Sequence, residues 1–142
     1  MIKITGYSLE ETKYSVSYNR SARVLDIESS PMSDDYTPHD ESTGCMFWLS
    51  KNYTLGEIEC IFPVETNNPG VLLSQNARHI TGTPKLKISF EEKPVKVFFD
   101  DTKLLLIFSE GGEADTAYES SNLSFWALGD ELVAMCMGYK LI

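Results

Sequence analysis

Apolar and polar residues alternate along most of the chain, and this period of two is typical of β-strands with one buried face. Tyr14, Val16 and Tyr18 alternate with polar residues, and the pattern returns at Leu25 and Ile27 after a turn. Turn residues separate the later segments with the same pattern, which are CMFWLS, EIECIF, LKISF, VKVFF, KLLLIF, SFWAL and ELVAMCM. The sequence therefore predicts a mostly β fold with short helical pieces at most.

Two long acidic segments interrupt this pattern. SSPMSDDYTPHDESTG contains two prolines and a cluster of Ser, Asp and Gly, which argue against continuous sheet. SEGGEADTAYESSN is predicted as a second acidic loop with some helix. In the middle of the chain LLSQNARHI predicts a short helix, and the terminal GYKLI predicts an edge strand.

A short phrase occurs twice and contains both tryptophans of the chain. ESTGCMFWL at 41–49 is matched by ESSNLSFWA at 119–127. The predicted strands, turns and loops around the two copies come in the same order along the chain, which predicts an internal duplication. Two similar four-stranded antiparallel units, about 13–62 and 95–138, would be joined by 63–94 in one sandwich or barrel-like domain over 1–142. The alternative is two unrelated β meanders that share a dipeptide.

The cysteines support the same prediction. Cys60 lies twelve residues after Trp48, and Cys136 lies ten residues after Trp126. Removing two residues from one hairpin loop brings these cysteines into register and preserves the facing of every side chain, because the strand period is two. With Cys45, the chain has three cysteines, an odd number, and their spacing is not that of a metal site. This predicts reduced, mostly buried thiols in a cytoplasmic protein.

The first unit also contains a tyrosine, alanine, leucine and isoleucine at strand spacing, followed by a Gly-x-Ile-Glu-x-Ile hairpin strand. The residues concerned are Tyr18, Asn19, Ala22, Leu25, Ile27, Gly56, Ile58, Glu59 and Ile61. This pattern resembles a family of very small bacterial β proteins of unknown function, in which an aspartate replaces Asn19 and a tyrosine replaces Asp26. The resemblance covers about the first 65 residues and implies a fold without implying an activity.

Charge narrows the possible functions. The formal net charge is −9 over 142 residues, which argues against nucleic-acid binding because that binding depends on Lys and Arg. No apolar run approaches the ~20 residues of a membrane span, and the N-terminus has no secretory pattern. An acidic surface is expected to attract a basic protein partner.

The sequence contains no recognisable catalytic or cofactor motif. G-x-S-x-G, P-loop, G-x-G-x-x-G and H-E-x-x-H patterns are missing, so we expect neither an enzyme nor a bound cofactor. His39 lies among carboxylates that offer metal ligands, but the EF-hand spacing is lacking and a solvated acidic loop is the preferred interpretation. We therefore expect no metal site.

The acidic segments are the predicted docking surface. The candidate partner-binding residues are Asp34, Asp35, Tyr36, Asp40 and Glu41 in the first segment, and Glu110, Glu113, Asp115, Tyr118 and Glu119 in the second. The sequence therefore predicts a non-catalytic acidic protein that neutralises a basic partner, similar in profile to immunity proteins and inhibitors of toxin nucleases. The alternative is a small-ligand-binding or accessory β domain that uses the Phe-Trp pairs as apolar walls.

Overall fold

The computed structural model describes residues 1–141, with the backbone alone described at Leu72. All of its regular structure is β-strand, which confirms the predicted fold class, and no described residue lies in a helix. The strands are β1 (Ile2–Ser8), β2 (Tyr14–Asn19), β3 (Val24–Ser29), β4 (Thr37–Ser42), β5 (Cys45–Leu49), β6 (Leu55–Ile61), β7 (Val64–Glu65), β8 (Leu72–Thr81), β9 (Thr83–Ile88), β10 (Lys96–Phe99), β11 (Lys103–Ile107), β12 (Glu113–Ser120), β13 (Leu123–Leu128), β14 (Glu131–Gly138) and β15 (Lys140–Leu141).

The strands form two sheets, which are not closed into a barrel. Sheet 1 has six strands in the order β15-β2-β3-β6-β5-β4. Sheet 2 has nine strands, with β7-β10-β11-β14-β13-β12-β8 as its main path; off this path, β1 pairs with β14 and β9 pairs with β1. The predicted last strand is confirmed, because β15 forms one edge of sheet 1.

The two halves of the chain have the same strand order. In the first half the order is β2-β3-β6-β5-β4, and in the second half it is β10-β11-β14-β13-β12. Each half therefore contributes five strands instead of the predicted four. The fifth strand is β4 or β12, formed by residues of the acidic segments. Pro38 is compatible with β4 because β4 is an edge strand, where a missing N–H costs no ladder hydrogen bond.

Each half also sends one short strand into the other half's sheet. After β6, β7 pairs in parallel with β10, and after β14, β15 pairs in parallel with β2. The β1–β9 pair provides a further link, since Ile4 N–H donates to Asp130 at the β14 turn and Leu86 N–H donates to Tyr53 beside β6. The two sheets are thus joined through the backbone at several places.

Aromatic side chains from the two sheets meet in one shared core. The ring centroids of Tyr14 and Phe125 are 6.3 Å apart, and those of Phe47 and Phe108 are 5.6 Å apart. Phe47 and Phe125 are both fully buried, whereas Trp48 and Trp126 are only partly buried on the opposite strand faces. Phenylalanine is therefore the core residue of each Phe-Trp pair.

Strand pairing corrects the predicted equivalence of the cysteines. Phe47 lies opposite Ile58, and Phe125 lies opposite Met135, so the separation along the chain is 11 residues in the first hairpin and 10 in the second. Because these two separations differ by one residue and not by two, the residue of the second hairpin that corresponds to Cys60 is Met137. Cys136 consequently lies on the other face of its strand, where it is partly exposed.

The predicted helix in LLSQNARHI is wrong, because these residues form β8. This strand pairs in parallel with β12, with Ala117 opposite His79 and Tyr118 opposite Ile80. Its two faces are only partly buried, so its sequence lacks the clear alternation of the other strands. The pairing with a distant strand determines its conformation.

We expect Phe47→Ala and Phe125→Ala each to lower the free energy of unfolding by about 3–5 kcal/mol, because each leaves a large cavity in the shared core. Trp48→Ala should cost clearly less, since its side chain lies on the partly exposed face. Urea denaturation followed by circular dichroism measures the three values. A cost for Trp48→Ala equal to that of Phe47→Ala would contradict the assignment of the core face.

Candidate functional site

The outer face of sheet 1 carries a group of carboxylates that strand pairing brings together. Asp26 lies opposite Glu59, and Glu28 lies opposite Glu57, on the neighbouring strands β3 and β6. Asp40 adds a carboxylate on β4, opposite Met46 in the same row as Glu59. We call these five residues, Asp26, Glu28, Asp40, Glu57 and Glu59, the acidic face.

The charges of the acidic face have no salt-bridge partner within residues 1–141. Carboxylate oxygens of Asp26, Glu57 and Glu59 lie within 4.8 Å of one another, and Asp26 Oδ1 is buried with no hydrogen-bond partner among the described residues. Like charges directly opposite each other on neighbouring strands destabilise a sheet. The acidic face is therefore maintained at a cost to folding stability.

Burial and this repulsion together raise the pKa of Glu57. Burial, a hydrogen bond to Asp26 and the negative charges of Asp26, Glu28 and Glu59 raise the pKa of Glu57 from 4.5 to about 7. A protonated Glu57 is a donor that satisfies a neighbouring carboxylate. Near neutral pH, the cluster thus alternates between a state with a shared proton and a state with full negative charge.

Trp48 gives the acidic face an aromatic centre. It lies opposite Glu57 on one side and Pro38 on the other, and its side chain is half-buried. Met46 is its outward-facing neighbour on β5 and is also half-buried. An indole ring beside several carboxylates suits a guanidinium or ammonium group, which is attracted both to the ring face and to the negative charge.

The same positions in sheet 2 are apolar. Judged by strand pairing, the counterparts of Asp26, Glu28, Glu57 and Glu59 are Leu105, Ile107, Ala134 and Cys136. Val71 packs on Ala134 in a second apolar cluster, to which Leu73 and Trp126 are joined. Sheet 2 is thus covered by the segment leading into β8, whereas the carboxylates occupy the sheet without such a cover.

Strand β8 also places an imidazole on the second tryptophan. The ring centroids of His79 and Trp126 are 5.8 Å apart with an interplanar angle of 85°, and His79 Nδ1 lies 2.9 Å from Glu119 Oε1. Strand pairing makes Trp126 the counterpart of Trp48 and Glu119 the counterpart of Asp40. A tryptophan and a carboxylate therefore bind an imidazole in sheet 2, and the same two groups are present in sheet 1.

The predicted residues of the first acidic segment lie in different environments. Asp34 and Asp35 are exposed, and a hydrogen bond from Ser33 lowers the pKa of Asp35. The ring of Tyr36 is half-buried where it covers Gly56, so it packs within the sheet instead of projecting from it. Asp40 belongs to the acidic face.

Glu41 is not available for docking, which corrects the prediction for this residue. It is a bulge residue, because Asp40 pairs with Met46 and Ser42 pairs with Cys45, and its side chain is fully buried. Burial raises the pKa of its carboxyl, and neither carboxylate oxygen has a hydrogen-bond partner in the described part of the chain. The extra residue turns this side chain from the surface into the interior.

The predicted residues of the second segment are mostly engaged within the chain. Glu110 forms a salt bridge of 2.8 Å with Lys96, and Asp115 accepts a hydrogen bond from the Gly129 N–H. Tyr118 is half-buried with its ring 5.7 Å from that of Tyr7, and burial raises its pKa. Glu113 is exposed. With Glu119 bound to His79, little free acidity is left on β12.

The structure does not join the two acidic segments into one surface. β4 lies in sheet 1 and β12 lies in sheet 2, and within residues 1–141 no hydrogen bond, salt bridge or aromatic contact connects Asp34–Glu41 with Glu110–Glu119. The free negative charge is concentrated instead on the neighbouring strands β3 and β6. Asp26, Glu28, Glu57 and Glu59 were not among the predicted site residues.

A signal for these residues was present in the sequence. Asp26-x-Glu28 and Glu57-x-Glu59 each place two carboxylates on one face of a strand, because alternate residues point the same way. Their juxtaposition also requires that β3 and β6 be neighbours with Asp26 opposite Glu59. The spacing of these carboxylates predicts that each pair lies on one face of its strand, but only the fold shows that the two strands are neighbours.

The carboxylate cluster offers three ligand atoms to a divalent cation. Asp26, Glu57 and Glu59 each supply one oxygen, but calcium takes 6–8 oxygen ligands and usually draws on loop carbonyls as well. All three residues lie on regular strands, where the backbone carbonyls are used by the sheet. The arrangement is better suited to ion pairs with a partner's side chains.

An apolar cleft lies beside the edge strand β4. It has a volume of about 440 Å³ between β4–β5 and the β1–β9 pair, and its wall includes His39, Leu49, Tyr53, Leu86 and Ile88. Phe47 and Phe125 are buried in the core, so the cleft is not formed by the Phe-Trp pairs. This is the apolar space that the structure offers to a ligand at the sheet 1 edge.

The sequence matches no protein-family model, and it matches no curated protein. Among the described residues there is also no helix that is long and apolar enough to cross a membrane. Function is therefore inferred from the geometry of the acidic face and its surroundings.

We expect the stability of the folded protein to decrease as the pH rises from about 4.5 to about 7. The unfolded chain releases the proton of Glu57 near 4.5, whereas the folded chain holds it until about 7, so the folded state binds more protons in this window. Glu57→Gln should reduce this decrease, and the exposed Glu113→Gln should leave it unchanged. Denaturant titrations at pH 4.5, 5.5, 7 and 8 measure the effect. A stability curve of the same shape in Glu57→Gln would exclude Glu57 as its source.

Proposed function

We propose that the chain is a non-catalytic binding protein whose acidic face docks on a basic protein and neutralises it. The observation that carries this proposal is the unpaired, mutually repelling set of carboxylates around Trp48. Immunity proteins and inhibitors of toxin nucleases are the class of protein that this role resembles. The resemblance of the first unit to the small bacterial β family stays a prediction about fold.

Relief of repulsion supports this function. Arg or Lys side chains entering the acidic face replace carboxylate–carboxylate repulsion by ion pairs, so binding recovers the folding stability that the cluster costs. The electrostatic gain is largest where groups are partly desolvated, as at Asp26 and Glu57. The positively charged partner would also suppress protonation of Glu57.

The anchor for such a partner is Trp48, and neither Tyr36 nor Tyr118 of the predicted docking residues has this role. Tyr36 is packed over Gly56, and Tyr118 is packed beside Tyr7, so neither projects freely. Interface energy is usually concentrated in a few aromatic and Arg residues near the centre of the contact. Trp48 is aromatic, half-buried and surrounded by charge, which supports a central position in the interface.

We also propose that the two halves of the chain arose by internal duplication. The shared strand order and the equivalent positions of Phe47 and Phe125 support it, as does a bulge that follows Trp48 and Trp126 alike. One outer face then became apolar and was covered by β8. The other face retained its tryptophan, acquired carboxylates and was left without a covering segment of its own.

The docking proposal predicts a charge-specific loss of binding. The double variant Asp26→Asn/Glu57→Gln should slow association with the partner about tenfold at low salt, because complementary charge steers encounter. The difference should shrink as salt increases, since the Debye length falls from ~10 Å at 0.1 M. Partners retained from lysate of cells that express the protein are purified, and their association rates are measured by surface plasmon resonance.

Glu10→Gln/Glu113→Gln is the matched control, because it removes two exposed charges outside the acidic face. This control should bind at nearly the wild-type rate. Loss of binding in the double variant cannot reflect misfolding if its unfolding free energy equals or exceeds that of the wild type. Equal slowing by both variants, or by neither, would refute docking at the acidic face.

A second candidate function is small-ligand binding in the cleft beside β4, which its apolar wall favours. In that case 1-anilinonaphthalene-8-sulfonate should gain fluorescence on binding, and Ile88→Asp should weaken its affinity about tenfold by placing a charge in the cleft. Tyr7→Ala lies outside the cleft and serves as the control. A dye that does not bind, or that binds both variants equally, would exclude this candidate.

A further inference from the structure

Strand β4 is an edge whose counterpart in the other half of the chain is covered. β12 has β13 on one side and β8 on the other, whereas β4 has only β5 within the described residues 1–141. The covering strand runs parallel to β12 along Thr116–Glu119, which strand pairing matches with Thr37–Asp40. The chain therefore contains its own example of how such an edge is completed.

We infer that β4 receives an extended basic segment of the partner, which adds to sheet 1 as a strand parallel to β4. This inference rests on the proposed docking function and specifies its binding mode. The segment is carboxylate-free and carries a cationic side chain facing outward and an aliphatic side chain facing inward. The outward and inward positions follow from His79 and Ile80 of β8, and the positive charge at the outward position follows from the carboxylates of the acidic face.

The outward requirement follows from the contacts of His79. This residue lies opposite Ala117, beside Trp126 and in hydrogen-bond contact with Glu119. The matching residue of an added strand would lie opposite Pro38, between Trp48 and Asp40, at the border of the acidic face. A cationic side chain there gains the indole face and several carboxylates at once.

The inward requirement follows from the next residue of β8. Ile80 lies opposite Tyr118, and the counterpart of Tyr118 in β4 is His39. His39 forms part of the wall of the apolar cleft with Leu49, Leu86 and Ile88. An aliphatic side chain in the position of Ile80 would enter this cleft, so a single added strand uses both the cleft and the acidic face.

The backbone of β4 supports strand addition with one exception. Glu119 C=O accepts a hydrogen bond of 2.9 Å from Gly82 N–H. The backbone groups of Glu119, and of the alternate residue Ala117, therefore point toward the covering strand. In β4 the position that corresponds to Ala117 is Pro38, which has no N–H to donate. Proline and charge on an edge strand discourage indiscriminate pairing with other chains. The edge therefore favours a segment whose side chains compensate for one missing hydrogen bond.

The test uses a synthetic peptide with the sequence of residues 73–83, LSQNARHITGT, added to the intact protein. Binding should shift the amide NMR signals of Thr37, His39 and Asp40 and slow their hydrogen exchange. A peptide carrying His79→Glu should bind at least about tenfold more weakly, because it places a carboxylate between Trp48 and Asp40. Asp40→Lys in the protein should have a similar effect.

Two changes separate strand addition from charge attraction. N-methylation at Ile80 and Gly82 of the peptide keeps its charge but removes backbone donors, and it should abolish the protection of β4. Pro38→Ala in the protein restores one donor and should strengthen binding about fivefold, the effect of one added hydrogen bond.

Three results would overturn the inference. An N-methylated peptide that binds as well as the parent peptide, while the Glu-substituted peptide does not, would leave docking at the acidic face intact and exclude strand addition. NMR shifts confined to β8 and β12 would show exchange with the internal strand instead. Sedimentation showing a dimer that Pro38→Ala strengthens would assign the edge to a second copy of the chain.

Discussion

The shared aromatic core is the constraint on which the remaining structure depends. Phe47 and Phe125 point inward from corresponding strands. Phe47 meets Phe108, which directly follows β11, and Phe125 meets Tyr14 of sheet 1. Because strand side chains alternate, fixing these residues inward fixes Trp48 and Trp126 outward and determines the facing of every residue along β5 and β13. The same argument extends through the hydrogen-bonded ladders to β6 and β14. The positions of the outward carboxylates are therefore a consequence of core packing.

The strand content and the last edge strand could be predicted because each depends on local alternation. Alternation also places Phe and Trp of each pair on opposite faces, but only the packing shows that Phe47 and Phe125 face the core. Strand β8 could not be predicted, since its residues are held by parallel pairing with β12, which is distant in sequence. The strands within the acidic segments, β4 and β12, are held by antiparallel pairing with the strands that directly follow them, β5 and β13. Glu41 and Glu119 illustrate the limit of sequence comparison. They occupy the same place in a repeated phrase, but a bulge buries the first and the second binds His79 at the surface. The single extra residue of the β4 bulge accounts for the difference.

The two outer faces show how a single arrangement can meet opposite physical demands. Apolar residues such as Ala134 and Val133 require a cover, and Val71 in the segment entering β8 supplies part of it. Carboxylates such as Glu57, which corresponds to Ala134, require solvent or cations and would be destabilised by the same apolar cover. A cluster that repels itself is more costly than mixed surface charge, since exposed ion pairs contribute little and unfavourable contacts contribute negatively. This cost argues for a role in binding beyond solubility.

Edge strands add a second constraint, because an unpaired row of backbone groups attracts any extended chain. In sheet 2 the chain covers β12 with its own strand. In sheet 1 it combines Pro38, which removes a donor, with Asp40, which repels acidic and self-complementary segments. These residues disfavour indiscriminate strand pairing without closing the edge. The adjoining cleft stays open, and at Glu41 the β4 carbonyl accepts a hydrogen bond from Glu91 N–H. Selectivity then arises from the side chains of the incoming segment. A strand lacking a cation for Trp48 and Asp40 would lose one backbone hydrogen bond at Pro38 and gain nothing in return.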